Sequence, residues 1–247
     1  PGTLTVGVLL ILAGLFWPDY DQARAYANLR RTLWALTKAE VGDLVEADTD
    51  TVSLNSAAGL WVDAPHFRAR LAQRRTHGHP ETEACPQCRQ LLAEAASLYR
   101  GDFLSGFTLR DSPAFDEWQF FQAESLRREL ADALELLVRA AGEQREFETA
   151  IAHARRWLAL DPLHEPVQRW LMQVYAWSGQ RSAALRQYRD CVQLLAHDLA
   201  VEPDAETQRL QRLIKGHRLP QPTAEQLQFG PAPTEHPVVS GGAAAAA

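Results

Sequence analysis

The chain has 247 residues, 46% of them hydrophobic and 23% charged, enough apolar surface for one large or two modest folded domains. A formal net charge of −6 excludes a protein that coats nucleic acid or membrane with its whole surface, so any DNA contact must come from a local patch. Three cysteines, two of them close together, do not make a secreted disulfide framework and fit a reducing cytoplasm.

The chain opens with Pro1 rather than Met, which reads as a fragment or a processed product. It runs uncharged to Pro18, with an apolar block from Val6 to Trp17. That block is too short for a bilayer, which needs roughly 20 residues, and no basic residue precedes it as a signal peptide requires. Ala25-Tyr26-Ala27 resembles a cleavage site only superficially, and the block reads as a buried helix or strand. Gln22 to Ala39 follows, with Arg24, Arg30, Arg31 and Lys38 and no acidic residue. At helical spacing Leu29, Leu33 and Leu36 form one apolar stripe, extended by Ala25 and Tyr26, which leaves Arg30, Arg31, Trp34 and Lys38 on other faces. A packed stripe backed by a basic face is what a helix entering a DNA groove needs, although such helices are commonly just solvated. From Leu44 to Val62 β-branched and polar residues alternate around Asp48, Asp50, Asn55 and Gly59, the pattern of a hairpin. A hairpin directly after a basic helix suggests a winged helix-turn-helix. Glu46, Asp48 and Asp50 argue against a wing that grips phosphate and for one that is structural.

Beyond Val62 the pattern is helical. Pro65 to Arg75 and Pro86 to Tyr99 are short helices, and Ser112-Pro113 opens a long one, with serine as cap and proline in the first turn, ending near Gly142. Tyr99 to Phe107 is a glycine-punctuated aromatic loop that packs on the helices after it. Arg145, Phe147, Ala150, Ala154 and Pro162 sit at the offsets of a tetratricopeptide unit, echoed by Gly179, Ala184, Tyr188 and Pro203, with Ala150 and Ala184 separated by 34 residues. Asp161-Pro162 is expected to cap and start the helix through Trp170 and Tyr175, and Ser178-Gly179-Gln180 to break it before a helix from Arg181 to His197. Helix pairs of this kind usually hold a peptide or another protein.

One cluster stands apart: His77, His79, Cys85 and Cys88, written HGHPETEACPQC. Two imidazoles and two thiolates suit tetrahedral zinc, and the Cys85-Pro-Gln-Cys88 spacing presents both sulfurs to one ion. A closed set of four ligands would make the zinc a structural staple between two helices. A thiol switch at a helix start and two plain surface cysteines are the competing readings. Cys191, inside a repeat helix, reads as a small buried hydrophobe. No phosphate-binding GxxxxGK[ST], GxSxG or HExxH occurs, and Asp116, Glu117, Glu124 and Glu129 read as helix-surface charges, so no enzyme is expected.

Three segments carry a resemblance. LFWPDYDQARAYANLRRTLWALTKA, from Leu15 to Ala39, resembles the later helices of an OmpR-like winged helix. LYRGDFLSGFTLRDSPAFDEWQ, from Leu98 to Gln119, resembles the start of a helical activator domain, and Arg155 to Thr207 resembles its tetratricopeptide-like core. Together they resemble the bacterial transcriptional activator domain of regulators of the Streptomyces antibiotic regulatory protein class. The resemblance implies a mainly α protein: a partial winged helix-turn-helix with a short β-hairpin over residues 1–62, then a tetratricopeptide-like α-helical domain over residues 63–219. A proline-punctuated linker or tail occupies 220–247. The winged helix lacks its usual strand-rich start. By the same resemblance Gln22 to Ala39 is the recognition helix, and Arg24, Asn28, Arg30, Arg31, Trp34 and Lys38 are the candidates for DNA contact. The implied function is a cytoplasmic transcriptional activator that binds promoter DNA and couples to RNA polymerase or another regulatory protein, with homo-oligomerisation through the helical domain and no membrane association. The alternative is a tetratricopeptide-type protein-interaction scaffold without DNA binding.

Overall fold

The computed structural model describes residues 6–39, 41–47, 52–78, 84–109 and 112–222. Asp48, Asp50, His79 and the expected tail beyond 222 therefore lie outside the described residues. Those that are described form helices with one small antiparallel hairpin. Two compact units divide inside the longest helix: of the described residues, 6–78 and 86–133 belong to one, and 134–222 with 84–85 to the other. This division by compactness is separate from the expected domain boundary at residue 62.

In the first unit the apolar block is a helix, α1 (Val6–Phe16), followed by α2 (Gln22–Lys38). Leu9 and Ala13 of α1 bury against Ala25 and Leu29 of α2, with Leu12, Trp17, Tyr26 and Leu33 packed around them. The expected stripe is thus the packed face, and each fully buried leucine contributes about 1.5–3 kcal/mol. Asp21 caps α2, its carboxylate accepting from the Arg24 N–H at 3.1 Å. After α2 the chain folds back on itself at Gly42, where a Cβ would stand 2.5 Å from the Thr37 carbonyl oxygen, an approach only glycine permits.

The hairpin is shorter than the sequence pattern suggests. β1 (Val45–Ala47) pairs with β2 (Val52–Leu54), Glu46 lying opposite Ser53. Val52 joins the α1–α2 core. Asn55 then ends the strand, donating to the Asp43 carbonyl at 3.0 Å and accepting from the Ala57 N–H at 2.9 Å. That side chain closes the open end of the ribbon, where β1 begins and β2 ends, and turns the following residues into a short 3-10 turn.

α3 (Asp63–Arg75) begins two residues before Pro65, which a first turn tolerates because its N–H needs no partner. It pairs with α4 (Pro86–Leu98), and Phe67 of α3 and Leu92, Ala95 and Ala96 of α4 are all buried. α5 (Pro113–Glu143) has 31 residues, about 46 Å of helix. Arg68 of α3 grips Glu129 of α5 through two nitrogens, at 2.8 to 3.1 Å. The aromatic loop packs on α5 as expected: Phe103 meets Trp118 and Phe107 meets Phe115 edge-on, and Gln119 donates to the Leu104 carbonyl at 2.8 Å.

The second unit holds the end of α5 with α6 (Phe147–Leu160), α7 (Glu165–Trp177), α8 (Arg181–Asp198) and α9 (Ala205–Lys215). Ala150, Ala154 and Ala184 are fully buried beside Val167, Leu171 and Val174, the small residues allowing helices to approach closely. The 34-residue correspondence recurs in the backbone. After α5 the Arg145 N–H bonds the Gly142 carbonyl and the Glu146 N–H bonds that of Ala141, both at 2.9 Å. After α7 the Gly179 N–H bonds Ala176 at 3.2 Å and the Gln180 N–H bonds Tyr175 at 2.7 Å. Both ends are Schellman motifs, with Arg145 (φ 57°) and Gly179 (φ 80°) at the left-handed position.

One expected boundary is corrected. Asp161-Pro162 does not start α7, which begins at Glu165 with Pro166 in its first turn and the His164 ring accepting from the Val167 N–H at 3.4 Å. The Asp161 carboxylate instead accepts from the Leu163 N–H at 3.2 Å, a turn in its own right. α9, absent from the sequence reading, is held at both ends. Arg169 reaches Asp204 and Glu206 at 3.3 Å each, and the Arg181 guanidinium donates to the Ile214 and Lys215 carbonyls, satisfying the end of the helix.

Candidate nucleic-acid interface and candidate metal centre

With 100° between successive helical residues, Arg24, Asn28, Arg30, Arg31, Trp34 and Lys38 fall within an arc of about 160° centred opposite the buried stripe of α2. Arg24, Arg30, Arg31 and Lys38 are exposed, Asn28 is half-buried, and Trp34 is 64% exposed. An indole left in water on a helix whose other large apolar residues are buried or half-buried is a costly placement unless something covers it. Arg24 lies 3.6 Å from Asp21, an exposed pair that holds it weakly. α2 contains no acidic residue, so its outward face presents guanidinium forks and one planar ring without internal neutralisation.

The hairpin supports this helix from behind through Val52 and presents Glu46 to solvent. A carboxylate there repels phosphate, which agrees with a wing that braces the helix. Leu54 at the end of β2 is 58% exposed.

The cysteine cluster forms where α3 hands over to α4. α3 stops at Arg75, Thr76 bonds back to the Gln73 carbonyl through its hydroxyl at 2.7 Å, and the His77 N–H bonds the Arg74 carbonyl at 3.1 Å, which turns the His77 ring toward the start of α4. Cys88 occupies the first turn of α4 and is fully buried. Its Sγ lies 3.3 Å from His77 Nδ1. Cys85, one residue before α4, completes a set in which one donor atom from each of His77, Cys85 and Cys88 lies within 4.8 Å of the others. All three cysteines carry free thiols. Cys191 is buried, and burial pushes its thiol up to about 11, as a packing residue requires.

A further cleft, of ≈ 430 Å³, lies beside the aromatic loop and is lined by Phe67, Tyr99, Asp102 and Leu126 among others. The Tyr99 hydroxyl donates to Asp102 at 2.9 Å, and Arg127 donates to the other carboxylate oxygen at 2.8 Å. Burial, aided by the bond to Asp102, pushes the Tyr99 phenol up to about 12. The same two donors hold the Asp102 carboxyl below its usual range. This trio fastens the loop, with its carboxylate already engaged by both donors. Sequence reasoning missed it because Arg127 stands 25 residues from Asp102.

Residues 62–215, well over half of the chain, match the bacterial transcriptional activator domain, and the chain belongs to that family of transcriptional regulators. The structure is similar to that of Mycobacterium tuberculosis EmbR, solved in complex with a low affinity phosphopeptide, with a TM-score of 0.56 and 19% sequence identity. The likeness covers 90% of this chain and 61% of the EmbR chain, so this chain spans about three fifths of that one. No curated protein sequence matches. Among the described residues no helix is long and apolar enough to cross a membrane.

Proposed function

We propose that this regulator binds promoter DNA by laying the outer face of α2 in the major groove, with the β1–β2 hairpin as a brace. The observation that carries the reading is the isolated Trp34 on that face, flanked by Arg30, Arg31 and Lys38 and exposed to 64% on a helix free of acidic residues. Arg30 and Arg31 are the strongest candidates: guanidinium forks either fix register on phosphates or read guanine edges in pairs. Trp34 offers a flat apolar surface for thymine methyl groups. Arg24, Asn28 and Lys38 extend the contact along the groove. In this reading the helical domain over residues 63–219 couples bound DNA to RNA polymerase or another regulatory protein and supports self-association. The mechanism is binding, with no covalent chemistry.

The test is a selection from random DNA duplexes with the whole chain. A defined enriched motif, lost with Arg30→Ala/Arg31→Ala and blurred with Trp34→Ala, is the expected result. Failure of any motif to enrich, together with folded protein, would leave an interaction scaffold as the function.

A further inference from the structure

We infer that His77, Cys85 and Cys88 hold one zinc ion that staples the segment after α3 to the first turn of α4. The inference is independent of DNA binding. It rests on the convergence of three side chains whose chemistry suits one metal and whose positions the chain has already brought together.

The geometry meets the requirement directly. Tetrahedral zinc with Zn–S near 2.3 Å and Zn–N near 2.0–2.1 Å sets ligand atoms about 3.6–3.8 Å apart. The three donor atoms lie within 4.8 Å of one another, and the Cys88 Sγ to His77 Nδ1 separation is 3.3 Å. Rotamer adjustments of a few tenths of an ångström to about 1 Å therefore suffice, with no backbone rearrangement. The local structure explains the convergence. Thr76 and the His77 N–H close the end of α3, while Pro86 starts α4 and the helix carries Cys88 inward on its first turn, one turn beyond Cys85.

The donor set selects the metal class. Two thiolates neutralise a divalent cation and an imidazole adds a neutral nitrogen, a borderline-soft set that suits zinc and disfavours magnesium or calcium, which take oxygen ligands. Ordinary burial accounts for one sulfur in an apolar core, as at Cys191. It does not account for a second sulfur and an imidazole nitrogen around the first. His79, two residues beyond His77, lies outside the described residues, and the inference stands on the other three.

Such a site binds metal as it folds, since the ligands are brought together only when α3 and α4 pair. Its effect is to cross-link the end of α3 to the start of α4, near the beginning of the activator domain.

The experiment uses the whole chain purified under reducing conditions, with metal content measured by mass spectrometry and Co²⁺ titrated into chelator-stripped protein. Expected are one zinc per chain and, with cobalt, thiolate charge-transfer bands and intense visible bands of a tetrahedral site, saturating at one equivalent and removed by added Zn²⁺. Cys85→Ser/Cys88→Ser abolishes the bands, and His77→Ala weakens cobalt binding by more than about a hundredfold, beyond the roughly 10–100-fold that loss of an outer-sphere partner costs. Should the double variant fail to fold, the cobalt spectrum of the unaltered chain decides. Absence of zinc together with a cobalt spectrum like that of the free ion overturns the inference. So does a Cys85–Cys88 disulfide in the reduced preparation, which would assign the pair to thiol redox chemistry.

Discussion

The Ser112 hydroxyl donates to the Leu15 carbonyl at 2.6 Å, joining residues 97 apart in sequence. Leu15 stands in the last turn of α1, where carbonyls have no partner within the helix, and Ser112 is 2% exposed immediately before α5. Phe16 stacks on Phe115 beside this bond, with ring centroids 6.1 Å apart. The bond and the ring pair tie the helix that supports α2 to the long helix of the activator domain. Ser112→Ala should cost about 1–3 kcal/mol and lower Tm by a few degrees in a melting curve. An unchanged Tm would show that the tie carries no stability.

Arg145 fills a left-handed position that its counterpart Gly179 fills without strain. A residue with a Cβ gives up about 1 kcal/mol there, so Arg145→Gly should raise stability by about that amount in a denaturant titration. Gly179→Ala should lower it. Equal and opposite shifts would confirm that both Schellman ends are built alike, and a destabilised Arg145→Gly would contradict it.

Tyr99 links the aromatic loop to pH. Its folded value is raised from 10.0 to about 12, so the stabilisation is complete below about 10 and is lost as pH rises through about 12. Tyr99→Phe should flatten the pH dependence of Tm across that window and remove the last-titrating component from the tyrosinate absorbance of the chain's five tyrosines. Asp102 works in the opposite sense. Its carboxyl is depressed below 3.8, and its contribution is present above that value and lost on acidification through the lower folded value. Because its side chain is 49% exposed, Asp102→Asn should cost no more than about 1 kcal/mol at neutral pH. The penalty should shrink in acid.

Cys191 is 1% exposed, with its thiol pushed up to about 11. In a Cys85→Ser/Cys88→Ser background a disulfide reagent at neutral pH should therefore find no reactive thiol until denaturant is added, and then one per chain. Fast reaction of the folded protein would mean that α8 opens readily.

The sequence made α2 legible because a single helix displays both its stripe and its charge, and local spacing decides both. The 34-residue repeat was legible for the same reason, down to Ala150 and Ala184 at matching buried sites. Boundaries were harder. Asp161-Pro162 has the composition of a helix start, yet the His164 ring cap three residues later wins, because the chain uses Asp161 for its own turn. α9 is short and polar, and what holds it, Arg169 and Arg181, is 33 or more residues away. Arg68 and Glu129 pair across 61 residues, a relation no local pattern contains. At the cluster of His77, Cys85 and Cys88 the residue types were visible from the outset. The turn after α3 that brings His77 within 3.3 Å of Cys88 was not.

The central claim is that the outer face of α2 meets DNA, and its most direct test is the salt dependence of affinity for a labelled mixed-sequence duplex, followed by fluorescence anisotropy. The prediction is measurable binding whose logarithm falls linearly with the logarithm of salt concentration. Arg30→Ala/Arg31→Ala should reduce the slope by about two, near one per phosphate contact, while Arg209→Ala on α9 leaves it unchanged. Absence of binding by the folded chain, or a slope that the double substitution does not alter, would contradict the account.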